Sequence, residues 1–315
     1  MPFAPPSIYS TNDPAAPTLL KATTDHASSA KFLSANNVSY VQVTNFESAP
    51  FFAWTSTITN FDWQNDVKTP VASVTGNIWS FDWSLDGTSV AFELQTQDGW
   101  QLWIKRASAT PVALTQALTN AKMEGGPGDG VWVTFSPSGT YVALANTFSA
   151  GAHIRIFRVS DGGLVWSGSK GGSPFWWHRG DRLYFEDFAG EHVWRSDQAS
   201  VSTITPNGWI DPAQSPDGNN VAYTVQADTS PQLEIRDLQS GTTQRLALPL
   251  VANPAYASDT VLWMSQMAKS QGLGRAPYQP TGVEVAYDLV SRRHVTLPFT
   301  GQPNEPSRIF DIWAH

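Results

Sequence analysis

Cysteine is absent from this chain, which excludes disulfides, thiolate nucleophiles and cysteine-ligated metal centres. Charged residues are scarce at 15% of the chain, against about 25% in an average globular protein. Acidic residues outnumber basic ones by 27 to 19, and no basic run is longer than the pair Arg292 and Arg293. A nucleic-acid-binding face needs clustered basic residues. We therefore expect no nucleic-acid partner.

Long apolar runs are also missing. No window of 18 apolar residues occurs, so the sequence predicts no membrane-spanning segment. Residues 1–6 contain neither the basic nor the apolar segment of a secretion signal. The low charge and high aromatic content slightly favour a periplasmic or secreted protein, without fixing the compartment.

Aromatic residues, proline and glycine are plentiful, with 14 Trp, 16 Phe, 22 Pro and 23 Gly. Three segments repeat one pattern, in which a Ser-x-x-Gly turn is followed by alternating apolar residues. Proline presets φ in such a turn and glycine accepts a positive φ. The strong copies are 82–92, 134–144 and 213–223, and the weaker ones are 32–40, 176–185 and 255–263.

Each copy predicts four antiparallel strands, and the turn joins the first two. Four antiparallel strands per repeat are typical of a β-propeller blade. We therefore expect an all-β chain that forms a single propeller domain over residues 1–315. Third strands are predicted at 100–104, 153–157, 233–238 and 283–287, and fourth strands at 112–114, 164–166, 243–246 and 294–297.

The copies lie about 45 residues apart on average, so the chain has room for about seven. Segments 7–10 and 18–23 have the pattern of third and fourth strands without the first two. Segment 308–313 has the pattern of a first strand. We expect both termini to complete a seventh blade, which leaves no open blade edge. Six blades with two additional ends is the alternative.

The turns at 84–87, 136–139 and 215–218 resemble those of TolB-like propeller repeats, a WD-like class, and the resemblance covers about six of the seven units. It implies a fold rather than a function. The group includes periplasmic scaffolds, propeller domains of prolyl-oligopeptidase-type peptidases and many uncharacterised secreted proteins. A peptidase of that type would need a separate α/β-hydrolase domain, and the repeats already occupy this chain. Segments 178–181 and 257–260 depart from the pattern.

Two long connections, 115–130 and 265–282, are predicted on the face of the propeller that surrounds the channel. Connections longer than about 12–15 residues are often functional. The first half of 115–130 fits a short helix. Arg275 and Tyr278, in the second connection, are candidate ligand-binding residues, as is Trp132.

Acidic residues lie beside tryptophan on predicted first strands. Carboxylates accept hydrogen bonds from sugar hydroxyls and aromatic rings stack on sugar faces, so these residues suit a glycan. The alternative is that the aromatic rings pack between blades and the carboxylates bind backbone amides. The candidate ligand-binding residues of this kind are Asp82, Trp209, Asp211, Asp311 and Trp313, with Glu186 added at the channel mouth.

His153, His178 and His192 lie in adjacent repeats near Glu186 and Asp187, but their predicted strands place them on different faces. We therefore expect no metal site. The chain also lacks a G-x-S-x-G elbow, an H-E-x-x-H helix and a glycine-rich phosphate loop. No catalytic residue and no cofactor is predicted.

These features favour a non-enzymatic binding protein that engages a protein partner or a glycan through segments 115–130 and 265–282. The alternative is a carbohydrate-active enzyme, a lyase or a glycoside hydrolase, with acidic residues at the channel mouth. A third hypothesis is a structural scaffold with no small ligand.

Overall fold

A computed structural model gives the fold. It describes residues 7–10, 18–22, 27–46, 49–97, 99–115, 131–146, 153–168, 175–178, 180–187, 190–198, 200–205, 209–226, 230–248, 250–269 and 278–300. Within these ranges the chain is almost entirely β-structure, with one short 3-10 helix at Phe51–Ala53. No helix in the same ranges has the length and apolar character needed to cross a membrane.

The described strands form one two-stranded sheet and six four-stranded antiparallel sheets, and strands consecutive in the sequence are neighbours in each sheet. Sheet N has β1 (Ser7–Ser10) and β2 (Thr18–Ala22). Sheet A has β3 (Ala27–Ser34), β4 (Asn37–Thr44), β5 (Thr55–Asp62) and β6 (Val67–Thr75). Sheet B has β7 (Asn77–Trp83), β8 (Ser89–Thr96), β9 (Gly99–Arg106) and β10 (Val112–Ala113). Sheet C has β11 (Val131–Phe135), β12 (Tyr141–Asn146), β13 (His153–Arg158) and β14 (Leu164–Gly168).

The remaining sheets follow the same order along the chain. Sheet D has β15 (Phe175–His178), β16 (Arg182–Asp187), β17 (Gly190–Arg195) and β18 (Ser200–Thr205). Sheet E has β19 (Ile210–Gln214), β20 (Asn220–Gln226), β21 (Pro231–Asp237) and β22 (Thr243–Arg245). Sheet F has β23 (Val251–Ser258), β24 (Val261–Lys269), β25 (Tyr278–Asp288) and β26 (Arg293–Thr300). The predicted third and fourth strands are thus confirmed, with shifts of a few residues at their ends.

The repeated turn has the same hydrogen bonds in its three strong copies. The Gly87 N–H donates to the Ser84 carbonyl at 2.8 Å, and the Ser84 N–H donates to the Ser89 carbonyl at 2.9 Å. The copies that begin at Ser136 and Ser215 have both bonds at the same distances. Each turn ends in a glycine with φ between 67° and 74°, a conformation that glycine adopts without steric cost. This shared geometry explains why the sequence pattern repeats.

The middle strands of the sheets are buried on both faces. β8 has six consecutive buried residues, from Val90 to Gln95. Phe92 and Leu94 belong to a core cluster shared by sheets A and B, whereas Ala91 belongs to one shared by sheets B and C. Sheets C and D share a third cluster, and sheets E and F a fourth. Because both faces are covered, β8 is buried at six successive positions instead of at every second one, and two of these positions hold the polar residues Glu93 and Gln95.

The chain divides into two compact units, 1–6 with 23–207 and 7–22 with 208–315. Sheets A to D belong to the first unit, and sheets N, E and F to the second. Within the predicted segments 7–10 and 18–23, Ser7–Ser10 and Thr18–Ala22 do pair, as β1 and β2. Segment 308–313 lies outside the described residues. The single domain over 1–315 and the completion of a seventh blade therefore stay predictions.

The predicted loop 265–282 is wrong over much of its length. β24 continues to Lys269 and β25 begins at Tyr278, and these two residues pair across the hairpin. A register shift after Ser265 accommodates the irregular sequence that suggested a loop. Segment 270–277 lies outside the described residues. So does 116–130, which includes the predicted short helix.

Candidate functional site

Asp82, at the end of β7, links three sheets through its side chain. The Lys31 ammonium on β3 donates to Asp82 Oδ1 at 2.7 Å. On β11, the Thr134 hydroxyl and the Phe135 N–H donate to Oδ2 at 3.0 and 2.7 Å. This placement agrees with the alternative in which the carboxylate binds neighbouring backbone amides. A ligand role for Asp82 stays a prediction.

Trp209 is a buried packing residue of sheet E. Its ring stacks on Tyr223, with centroids 4.9 Å apart and planes 20° apart. The Tyr223 hydroxyl donates to Glu234 at 3.1 Å, and Glu234 forms an ion pair with Arg245 at 2.9 Å. Burial, more than any neighbouring charge, raises the pKa of Tyr223. The Trp209 ring thus covers one side of Tyr223, whose hydroxyl is hydrogen-bonded to the Glu234–Arg245 ion pair.

Asp211 lies two residues further along the chain, on β19, in a different environment. Its φ is 47°, in the left-handed region that few residues other than glycine adopt. The residue keeps an exposed surface, yet partial desolvation raises the pKa of its carboxyl above the ordinary value. Backbone strain and a perturbed acid in one residue are features found at functional sites.

The other predicted ligand-binding residues are only partly described. Trp132 on β11 pairs with Ala145 and is 39% exposed, so it presents a large aromatic surface to solvent. Tyr278 is half-buried at the start of β25. The Glu186 side chain lies outside the described part of the chain, and so do Arg275, Asp311 and Trp313.

The paired residues past Ser265 form an arm, defined here as 267–269 of β24 with 278–280 of β25. Met267 pairs with Pro280 and Lys269 with Tyr278. The Met267 N–H also donates to the Leu250 carbonyl at 2.7 Å, which fixes the base of the arm against the chain that leads into β23. The arm therefore extends the sheet past Val251, where β23 begins.

His192 is buried and has polar and aromatic neighbours. Its Nδ1 lies 3.2 Å from the Thr203 hydroxyl, and its ring stacks on Phe185 at 5.4 Å. Among the described residues, no cluster of three or more His, Asp or Glu side chains is arranged to hold a metal ion.

Sequence reasoning missed a cavity of about 400 Å³ between sheets A and B. Asn60 on β5 and Trp83 on β7 line it, with Lys105 at the end of β9. The Asn60 Oδ1 and Trp83 Nε1 atoms are buried and have no hydrogen-bond partner. The sequence carries one sign of this cavity. Asn60 is polar, yet it lies two residues after the fully buried Ile58 on β5 and therefore on the same face of the strand.

No protein-family model matches this chain, and no curated protein matches it in sequence. Solved structures do match. Prolyl oligopeptidase B from Galerina marginata is 12% identical with a TM-score of 0.61, over 90% of this chain and 43% of that one. An oligogalacturonate lyase from Vibrio parahaemolyticus is 10% identical with a TM-score of 0.63, over 95% of this chain and 85% of that one. TolB from Acinetobacter baumannii is 15% identical with a TM-score of 0.49, over 93% of this chain and 60% of that one.

The matches to the prolyl oligopeptidase and the lyase are matches to β-propellers. Together with the six four-stranded sheets, these two matches confirm the predicted class of fold. TolB proteins are also among the solved structures that match. The chain spans 60% of the TolB protein and less than half of the prolyl oligopeptidase. At identities this low the likeness establishes the fold and leaves the function to the residues themselves.

Proposed function

We propose that this chain is a non-enzymatic β-propeller that binds a protein partner or a glycan, using the arm together with segment 115–130. The observation that carries the proposal is the arm's backbone pairing. It holds Met267 and Tyr278, which are half-buried, on a ribbon anchored to Leu250. A ribbon ordered before binding loses less conformational entropy on association than a free loop does.

The chemistry of the arm suits recognition of a partner. Met267 is a polarizable side chain that adapts to irregular surfaces. Tyr278 offers apolar area and a hydroxyl at low entropic cost, as tyrosine does at many interfaces. Lys269 is exposed beside them and adds a positive charge to a chain whose net charge is −8. An acidic surface patch or an acidic glycan complements this arm.

The test is to replace Met267 and Tyr278 by threonine, which removes the two side chains that carry the recognition and keeps residues that favour strand pairing. Retention of proteins from source extracts, and of glycans on an array, is compared with that of the parent chain. We expect specific binding to fall at least tenfold. Val290→Asn, at a position 76% exposed in the turn between β25 and β26, is the matched control. Unchanged binding by the doubly substituted chain would contradict the proposal.

A carbohydrate-active enzyme is the second candidate, and Asp211 is the residue that favours it. Partial burial raises the pKa of its carboxyl, which is the direction that favours a proton donor. The oligogalacturonate lyase aligned over 95% of this chain shows that a propeller of this size supports carbohydrate chemistry in another protein. Turnover in a polysaccharide panel that disappears in Asp211→Asn would support the enzyme; binding without turnover would support the binding protein.

We also propose seven blades, with segment 308–313 completing the sheet that contains β1 and β2. The pairing of β1 with β2 supports this, because two strands with few partners are only marginally stable on their own.

A further inference from the structure

Given the binding function proposed above, on which this inference rests, we propose that Asp211 and Asn253 form a site for a basic side chain of a protein partner. The ligand group is the guanidinium of an arginine or the ammonium of a lysine. Asp211 lies on β19 of sheet E, and Asn253 lies on β23 of sheet F. Both strands belong to the second compact unit.

The two residues occupy equivalent positions on neighbouring strands. β19 and β23 contact each other, and the turns that follow them are joined by the hydrogen bond from the Asp217 N–H to Asp259 at 2.7 Å. Asp211 lies six residues before Asp217, and Asn253 lies six residues before Asp259. Stacked sheets lie about 10 Å apart, so one group between these strands can reach both side chains.

Each residue also lies in a bulge of its strand. The pairing of β19 with β20 shifts across residues 211–212, and that of β23 with β24 shifts across residues 253–254. Asp211 and Asn253 have φ angles of 47° and 54°, and a proline follows each of them. Bulges re-aim side chains and are frequent next to active sites. The same local geometry is thus built twice, once with a carboxylate and once with an amide.

The Asp211 carboxylate has no cation beside it among the described residues. The residue is exposed, and only partial desolvation acts on the pKa of its carboxyl, which it raises; no hydrogen bond or positive charge opposes this effect. The Asn253 side-chain amide is half-buried and forms no hydrogen bond with another described residue. A carboxylate and an amide oxygen both accept hydrogen bonds. A guanidinium or ammonium group supplies the donors and the missing positive charge together, in bonds that the charge strengthens.

Asn253 also lies close to the arm. Ala252, which precedes it, pairs with Ser265 on β24, and the arm begins two residues after Ser265. A partner that contacts the arm can therefore place a side chain at Asn253. Lys269 on the arm and Asp211 carry opposite charges, so a partner with one acidic and one basic residue is held in a single orientation.

The experiment compares two peptides by NMR titration of the full chain at pH 7 in about 150 mM salt, which screens non-specific attraction. One is acetyl-Gly-Gly-Arg-Gly-Gly-amide; in the other, citrulline replaces the arginine, which keeps the shape and removes the charge. We expect saturable binding of the arginine peptide, with an affinity about tenfold higher than that of the citrulline peptide. Methyl β-galactoside is titrated as a glycan probe.

Two substitutions at the site should act in opposite directions. Asp211→Asn removes the charge and keeps a residue that tolerates a positive φ, so it should abolish the preference for arginine. Asn253→Asp adds a second carboxylate, so it should tighten binding of the arginine peptide about threefold or more. Asp197→Asn is the matched control, because it removes one exposed charge in the turn between β17 and β18 and should leave the preference intact. A loss and a gain at one site cannot both result from unfolding.

Equal binding of the two peptides by the parent chain would overturn the proposal. So would an Asp211→Asn chain that still prefers arginine, or an Asn253→Asp chain with no gain. Saturable binding of the galactoside that Asp211→Asn removes, without a preference for arginine, would assign the pair to a glycan and overturn it too. The chain with Met267→Thr and Tyr278→Thr tests the arm separately. Loss of partner binding in that chain, with no arginine preference in the parent, would leave the proposed function standing and remove this site alone.

Discussion

Asp259 accepts a hydrogen bond from the backbone N–H of Asp217, with 2.7 Å between Asp259 Oδ1 and the Asp217 nitrogen. Asp181 makes the same contact with Ser138 at 3.1 Å, and also accepts from the Ser138 hydroxyl at 2.6 Å. Each contact links the repeated turn of one sheet to the turn of the next, C to D and E to F. The weaker copies of the repeat in sheets D and F thus lack the Ser-Pro-Asp-Gly sequence. Their aspartates instead accept hydrogen bonds from the strong copies in the neighbouring sheets C and E.

This contact predicts a modest stabilising role for Asp259. Asp259→Ala removes the acceptor of an exposed backbone bond, so the free energy of unfolding should fall by about 0.5–1 kcal/mol. Urea unfolding followed by tryptophan fluorescence measures it. Val290→Ala, at an exposed position in the turn between β25 and β26, should change the value by less. Equal effects from the two substitutions would mean that the contact contributes nothing.

Asp82 should matter more, because its side chain binds groups on two neighbouring sheets. Asp82→Ala leaves the Lys31 ammonium and the Phe135 N–H without this partner in a partly buried position. We expect a loss of about 2–3 kcal/mol in the free energy of unfolding, measured by urea denaturation. Lys31→Met, which removes a single partner, should cost less. A stability loss below that of Lys31→Met would contradict the linking role.

Glu93 predicts a pH dependence of stability. It is buried on β8 with Oε2 unpartnered, and desolvation raises its pKa well above the ordinary value. Below the ordinary pKa of about 4.3 both the folded and unfolded states hold the proton. Above it the unfolded state releases the proton while the folded state keeps it, so stability falls as pH rises towards the folded-state pKa.

Glu93→Gln keeps the shape and removes the titration. The difference in unfolding free energy between the variant and the parent chain should therefore grow from pH 4 to pH 7, in favour of the variant. Urea unfolding at several pH values measures this difference, and all other titrating groups cancel in it. A difference that stays constant with pH would show that Glu93 does not titrate differently on folding.

Removing residues 301–315 tests the proposed seventh blade. If segment 308–313 completes the sheet of β1 and β2, its loss leaves that sheet two-stranded and marginal. We expect a lower thermal unfolding midpoint and faster amide exchange at residues 7–10 and 18–22. A truncated chain with the parent's midpoint and exchange would favour six blades with additional ends.

The hairpins are predictable from the sequence because their geometry depends on local residues. Gly87, Gly139 and Gly218 each supply a positive φ that fixes the turn, and each strand that follows contains a run of at least three apolar residues. The extension of β24 and β25 could not be predicted in the same way. Its sequence includes Pro280 and Gly282, and only the cross-strand partners show that the backbone continues in register.

The candidate sites depend on contacts between repeats, which a single sequence does not show. Asn60 and Trp83 belong to different copies of the repeat, and only the packing of sheets A and B brings them to one cavity. Asp82 stands out in the sequence because Trp83 follows it, and Trp209 stands out because it lies near Asp211. In the structure, Asp82 accepts a hydrogen bond from the Phe135 N–H, and the Trp209 ring stacks on Tyr223. Both side chains therefore contact other strands of the fold.

The most direct test of the account is amide hydrogen exchange, measured on the chain alone and with the protein or glycan that it retains. The account predicts slower exchange in the complex at the arm, residues 267–269 and 278–280, with no catalytic conversion of the bound molecule. Protection that leaves the arm unchanged and lies elsewhere on the chain would contradict it.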